Sequence, residues 1–169
     1  LSLLVFLHGR LLRTYLPLGN HRRPPKEFRK QLKQGLKNMD IKNHTMTAHS
    51  PSTLEKIESV PIGDKLSNHR QTFGSTYRRL NPDLPSPTVT RSGYRDFIHP
   101  YEQRMLTVRE LACLQTFPLN WEFTGVRLDS YSSKRKVMMT QFGQVGNAVP
   151  PKLAAAVAKS VLEQFFTGD

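Results

Sequence analysis

Apolar residues recur in two helical stripes in the last third of the chain. In "LTVRELACLQTFP", Val108, Leu111, Leu114 and Phe117 share one face of a 3.6-residue period. Thr107 stands before this run with Glu110 three residues on, the capping-box spacing in which each side chain satisfies an orphan backbone donor. The pattern predicts a helix that starts at Val108 and is stopped by Pro118. A second helix is predicted after Pro150-Pro151, because a first-turn proline gives up no hydrogen bond. Its stripe is Leu153, Val157, Val161 and Phe165, and Ala154, Ala155, Ala156 and Ala158 permit close packing. The two helices predict a compact C-terminal subdomain over 104–169. Upstream, Pro51, Pro61, Pro82, Pro85, Pro87 and Pro100 break 51–103 into short segments and exclude a helix of more than a few turns. Within it "PTVTRSGYRDFIHP" predicts a β-hairpin, with Thr88–Thr90 and Arg95–Ile98 extended and Ser92-Gly93 at the bend. In 1–50, Phe28, Leu32 and Leu36 form a thin stripe that predicts a short helix over Lys26–Met39.

Charge changes this picture. The 169 residues carry a formal net charge of +12 and a pI of about 10.2, which points to a polyanionic partner, nucleic acid before an anionic membrane surface. The excess is lopsided: residues 1–50 hold ten Lys/Arg against two acids. No stretch approaches the roughly 20 apolar residues of a membrane span, and the seven-residue opening "LSLLVFL" lacks the basic start of a signal peptide. The chain begins at Leu1, as expected either of a start partway into a longer unit or of a non-standard start codon. With one cysteine, Cys113, no internal disulfide forms, and a reducing compartment is expected.

Searches for familiar catalytic groupings return little. One cysteine and six scattered histidines make no metal-binding spacing, and no phosphate-cradling glycine loop occurs. Cys113 lies between Ala112 and Leu114 beside the apolar stripe, where a buried inert thiol is expected. "QVGNAVPPKLAAA" (144–156) has Gly146 and Asn147 just ahead of the last helix, with Gly143 upstream. Glycine admits unusual backbone angles or close approach of another group. The stretch reads either as a tight loop entering a packed helix or as a loop presenting its backbone to a ligand.

Two blocks, "RMLTVRELACLQTFPLNWEFTG" (104–125) and "QFGQVGNAVPPKLAAAVAKSV" (141–161), resemble the last two signature blocks of DNA cytosine-5 methyltransferases in order, spacing and content. The segment "PSPTVTRSGYRDFIHP" resembles the late part of that family's target-recognition domain, with Thr88-Val89 at its Thr-Leu or Thr-Val pair. "HGRLLRTYLPLGNHRRPP" (8–25) is a loose echo of the block preceding that domain, with Arg10 and Arg13 at the wrong spacing. The resemblance implies an α/β class, mixed α+β in this piece. An irregular, β-rich recognition domain (51–103) would be followed by the C-terminal helices of an S-adenosylmethionine-dependent methyltransferase domain (104–169). The basic residues 1–50 would either end the catalytic domain or hold a subunit interface or a DNA arm. By the same resemblance Gly146 supplies a turn, and Asn147, Ala148 and Val149 close over the methionine end of S-adenosylmethionine.

The family's other machinery is missing from this sequence. Methylation at cytosine C5 requires a nucleophile to add at C6. The family supplies it from a Pro-Cys motif, with a Glu-Asn-Val carboxylate and a Phe-x-Gly-x-Gly cofactor turn, and none of these occurs here. The resemblance therefore implies no catalytic residue in this chain, which is either one subunit of a split methyltransferase, whose second polypeptide carries the catalytic cysteine and the main cofactor pocket, or the remnant of a broken gene. Duplex DNA would be the substrate, in restriction–modification or regulation, and the chain would be cytoplasmic and nucleoid-associated, or nuclear in a eukaryote. The family flips its cytosine out of the stack and reads flanking bases from the major groove. That role falls to Arg91, Tyr94 and Arg95, with Thr88, Arg78 and Arg79 as further DNA contacts. Arg104, Thr107 and Glu110 are expected to be structural, and Trp121 and Phe123 to pack in the core. Without the transferase sheet, the faces at 108–117 and 153–165 are expected to stay uncovered. The alternative is a non-catalytic DNA-binding protein derived from such an enzyme.

Overall fold

The computed structural model describes residues 41–66, 77–91, 93–127 and 139–166. The helix expected over 26–39 and the block at 8–25 lie outside them. Helix α1 (Pro51–Glu58) opens the described part, with the Ser50 side chain accepting the Thr53 N–H and Pro51 in the first turn. It is two turns long, within the limit the prolines set, and buries Ile57. Strands β1 (Arg78–Arg79) and β2 (Phe97–Ile98) pair in parallel, Arg78 opposite Phe97 and Arg79 opposite Ile98. Antiparallel bridges from Lys65 to Arg78 and from Ile98 to Met105 widen this into a small ribbon.

The hairpin expected over 88–98 is not formed. Its second arm became β2, but it pairs with Arg78–Arg79 rather than with Thr88–Thr90. The reason is local: the Thr90 carbonyl accepts the Gly93 N–H, the Gly93 carbonyl accepts the Asp96 N–H, and the Thr90 hydroxyl donates to the Asp96 carboxylate. These bonds curl 90–96 into consecutive turns, and Val89 drops into the core instead of entering a ladder. The β-rich character expected of 51–103 is confined, among the described residues, to this one pair and its bridges.

Helix α2 (Val108–Leu114) starts where expected, with both bonds of the capping box between Thr107 and Glu110 present. It ends before Pro118 acts. The Phe117 N–H bonds the Ala112 carbonyl and the Thr116 N–H bonds the Cys113 carbonyl, with Thr116 at φ 65°. This is a Schellman closure with a β-branched residue in the left-handed position that glycine usually takes.

Helix α3 (Gln141–Asn147) falls where a loop was expected. Thr140 caps it by accepting the Gly143 N–H, and Phe142 and Val145 are buried against α2. One core holds Leu80, Val89 and Phe97 together with Leu106, Val108, Leu111, Phe117, Phe123, Phe142 and Val145. The α2 face expected to be bare is therefore covered by the chain's own residues.

Helix α4 (Pro151–Phe166) is different: Leu153, Val157, Val161, Leu162 and Phe165 are all exposed. Its first turn is tied to the body where the Lys152 N–H bonds the Thr116 hydroxyl at 3.2 Å. The helix stands out from the core instead of packing into a compact 104–169 unit. No described helix is long and apolar enough to cross a membrane.

Candidate functional site

The turns at 90–96 sit on α3. The Tyr94 ring lies 5.9 Å from the Phe142 ring, and the Arg95 guanidinium lies over the Tyr94 ring, 5.0 Å from its centre. Tyr94 is half-buried as a strut, whereas Thr88, Arg91 and Arg95 are exposed. At the end of α3, Asn147 is exposed and donates to the Met139 sulfur at 3.3 Å, a weak acceptor. Ala148 leaves the helix at φ −78°, ψ 145°, and Val149 is 64% exposed. Gly146 does not make a turn: it lies inside α3, and a Cβ there would fall on the Thr90 carbonyl. The structure thus brings the turns that carry Arg91, Tyr94 and Arg95 against the same short helix that holds Gly146 and ends in the candidate cofactor residues.

Arg79 is elsewhere, in the interior, and 5% exposed. Its Nε donates to the Val60 carbonyl, Nη1 to the His99 and Glu102 carbonyls, and Nη2 to the Ile57 carbonyl and the Gln103 side chain. All five N–H groups are used, so Arg79 holds the end of α1 to the 99–103 turn and has no donor left for DNA. Its neighbour Arg78 is half-buried in the ribbon. Trp121 also departs from expectation: Phe123 is buried, but Trp121 is 53% exposed, with its ring 5.8 Å from that of Phe117.

Below the turns lies a charged network. Arg104 grips Glu110 in a two-pronged pair, Nη1 to Oε2 and Nη2 to Oε1, each 2.8 Å, and its Nε reaches Glu102 at 2.6 Å. Burial would raise the Glu110 carboxyl, but the Arg104 bonds and charge and the Thr107 N–H hold it below its usual range. His99 is fully buried, and its Nδ1 accepts the Tyr101 and Glu102 N–H groups. Its Nε2 therefore carries the proton, 3.7 Å from Glu102 and 4.0 Å from Glu110. Burial pushes the His99 pKa down to about 4, against the pull of the Glu110 charge. Burial lowers His44 and His49 as well, and His49 Nε2 accepts the Met105 N–H.

A pH prediction follows with its sign. Below about pH 6.5 the unfolded chain protonates its histidines while the folded chain resists, so unfolding takes up protons and stability falls with falling pH. The decline should run from about pH 6.5 toward 4 and steepen below the ordinary carboxylate range, where Glu110 adds to it. Urea midpoints across this range check it, and His99→Asn, which keeps an acceptor, should flatten the upper part.

Cys113 is buried on α2, and burial raises its thiol to about 12. The fold uses it as an apolar residue. Sequence reading missed three hubs: Arg79, His99 and Arg109. Arg109, buried on α2, donates to the Lys42, Pro118 and Trp121 carbonyls and to the Asn43 side chain. The acceptors of the two arginines are mostly backbone carbonyls, and the donors to His99 Nδ1 are backbone N–H groups, so neither leaves a residue-type signal.

The profile of the C-5 cytosine-specific DNA methylase family matches residues 17–163. The chain is 79% identical over 129 residues to the type II methyltransferase M.AquIB of Picosynechococcus, covering 76% of this chain and 93% of that protein. It is 37% identical over 140 residues to the type II methyltransferase M.BbvI of Brevibacillus brevis, covering 75% of this chain and 34% of that one. A solved structure from E. coli, assigned as a DNA modification methyltransferase encoded within a prophage, superposes with TM-score 0.53 and 28% identity. That match covers 85% of this chain and 35% of the other. The chain thus spans most of M.AquIB and about a third of the other two. A profile match over nearly the whole chain, with the two signature blocks on α2, α3 and α4, places it in the C-5 cytosine-specific DNA methylase family, whose members use S-adenosylmethionine and include type II restriction–modification methyltransferases.

Proposed function

We propose that this chain is the recognition and cofactor-closing part of a DNA cytosine-5 methyltransferase whose nucleophile resides on a second polypeptide. One observation carries the reading: the chain's sole cysteine is sealed inside α2, with a thiol raised to about 12, and no Pro-Cys pair exists in the sequence. A thiol raised that far by burial keeps its proton at neutral pH and is a poor nucleophile.

In this reading residues 51–103 are the recognition domain, and 104–169 complete the catalytic domain. S-adenosylmethionine, when bound, supplies the electrophilic methyl group. The exposed edge at the end of α3 suits one wall of its site: the Asn147 amide offers a donor and an acceptor for the amino-acid end, and Ala148 and Val149 offer apolar contact. Gly146 keeps α3 close against the turns at 90–96. Arg91 and Arg95 are the base-edge candidates, since an arginine fork matches guanine in the major groove. Thr88 and Arg78 serve the DNA backbone, and Tyr94 supports Arg95 from below. The uncovered α4 face, anchored at Thr116, suits burial against the partner.

Methyl transfer from labelled S-adenosylmethionine to duplex DNA tests this. The chain alone should incorporate nothing, and adding a polypeptide that carries the Pro-Cys half should restore transfer. Cys113→Ala should keep the restored activity within about twofold, because the substitution touches only packing. Incorporation by the chain alone, lost in Cys113→Ala, would overturn the proposal.

A further inference from the structure

Gly146 and Gly143 are three residues apart on the same helix, yet a side chain would meet very different neighbours at each. At 143 a Cβ would lie 3.3 Å from the Met139 sulfur and from the Thr140 hydroxyl, and 3.7 Å from Arg91 Cγ, all side-chain atoms. At 146 it would fall on the carbonyl carbon and oxygen of Thr90 and 2.6 Å from the Arg91 nitrogen. Backbone cannot swing aside as a side-chain tip can. From the same turns, a Cβ at Gly93 would lie 2.5 Å from Leu111 Cδ2 of α2. The turns are thus held close against both α2 and α3 at two glycines, and the Tyr94–Phe142 ring contact adds a third point. Arg91 and Arg95, both exposed, project from this closely held backbone.

We infer that Gly146 is a positioning residue for sequence discrimination: by letting the Thr90 carbonyl seat on α3, it sets where the Arg91 and Arg95 guanidinium groups stand. This rests on the proposed function, since it assumes that these arginines face DNA. The physical argument is one of tolerance. Bidentate readout of a base edge is lost with a displacement of about an ångström, while attraction to phosphate falls off slowly with distance. A shift of the turn should therefore cost discrimination before it costs general affinity.

The test compares Gly146→Ala with Gly143→Ala in the same helix. Amide hydrogen exchange on the chain alone reads the seating. Gly146→Ala should speed exchange at the Gly93 and Asp96 N–H groups at least tenfold, and Gly143→Ala should leave them within about twofold. With the complementing polypeptide, the recognition sequence is first read from the cytosines that the wild-type complex methylates in plasmid DNA. Transfer rates are then compared between that duplex and duplexes altered at one flanking base pair. Gly146→Ala should lower this ratio at least tenfold, and binding to unrelated DNA and its salt dependence should stay as in wild type. Phe142→Leu, which adds no bulk, should give the same change in smaller degree and covers the case in which Gly146→Ala does not fold. If the two alanine variants behave alike, or if exchange rises while discrimination holds, Gly146 has no positioning role and the inference is overturned. Failure of the proposed function would show separately, as a wild-type complex that transfers no methyl group.

Discussion

Glu110→Ala should destabilise the fold by about 3–5 kcal/mol, the range seen when one member of a buried ion pair is removed and the other is left charged. Two losses combine. The Arg104 guanidinium is left with the half-exposed Glu102 and the Met105 carbonyl, and the buried Thr107 N–H loses its Glu110 acceptor. Out of a typical total of about 5–15 kcal/mol, this should move the urea midpoint strongly or abolish cooperative unfolding. Glu110→Gln keeps one acceptor oxygen and should fall between Ala and wild type. The double variant Arg104→Met with Glu110→Leu should lose less than Glu110→Ala, because no unpaired charge remains buried. A Glu110→Ala midpoint near that of wild type would show that the pair is not what seats α2 on the ribbon.

Arg79→Lys should cost about 2–3 kcal/mol and Arg79→Ala more, since a lysine offers three donors from one point and the site holds five acceptors around a planar fork. Four of those acceptors are backbone carbonyls, of Ile57 and Val60 at and just past the end of α1 and of His99 and Glu102 in the 99–103 turn; all lose the arginine in the alanine variant, where Ile57 still accepts the Val60 N–H and Glu102 the Arg104 N–H. The contrast with Arg78 gives the test its sense. If Arg79 were a phosphate contact, lysine would preserve the charge and leave stability unchanged. Unfolding curves for Arg79→Lys and Arg78→Lys, measured side by side, should differ in midpoint, with only the first shifted. Equal midpoints would return Arg79 to the DNA-facing set.

Both variants act on parts that hold the candidate site from behind. Arg79 and the Arg104–Glu110 pair fix the ribbon and α2, and α2 with α3 hold the turns that carry Arg91 and Arg95. The exposed residues that meet DNA or cofactor in the proposed reading contribute little to stability, so their substitution should separate from folding effects.

Local rules made part of this fold readable. The Thr107 and Glu110 capping box needs only residues three apart, and both of its bonds are present. The proline-opened start of α4 and the burial of Cys113 were equally local inferences. Four elements were not readable, each for a reason outside its own segment. Helix α3 contains two glycines and an asparagine, all poor helix formers, and is held by burying Phe142 and Val145 against α2. The end of α2 is set by Thr116 at φ 65°, a conformation no rule assigns to threonine, with its hydroxyl turned to the first turn of α4. Arg79 looked like its neighbour Arg78 until the fold placed carbonyls around it. Trp121 followed the same apolar pattern as Phe123, yet only one of the two rings found a place in the core.

What the amino-acid sequence determined by itself was the chemistry available and its order along the chain. Its blocks marked the methyltransferase family, its single cysteine stands outside any Pro-Cys pair, and its periodicity placed α2 and α4. The tertiary structure decided which residues face outward and which pairs meet. It put the candidate recognition turns and the candidate cofactor edge on one short helix, with Gly146 at the contact, although Thr90 and Gly146 are far apart in the chain. Contacts of that kind depend on how close two backbones come. Only packing sets that distance, and no local pattern of residue types encodes it.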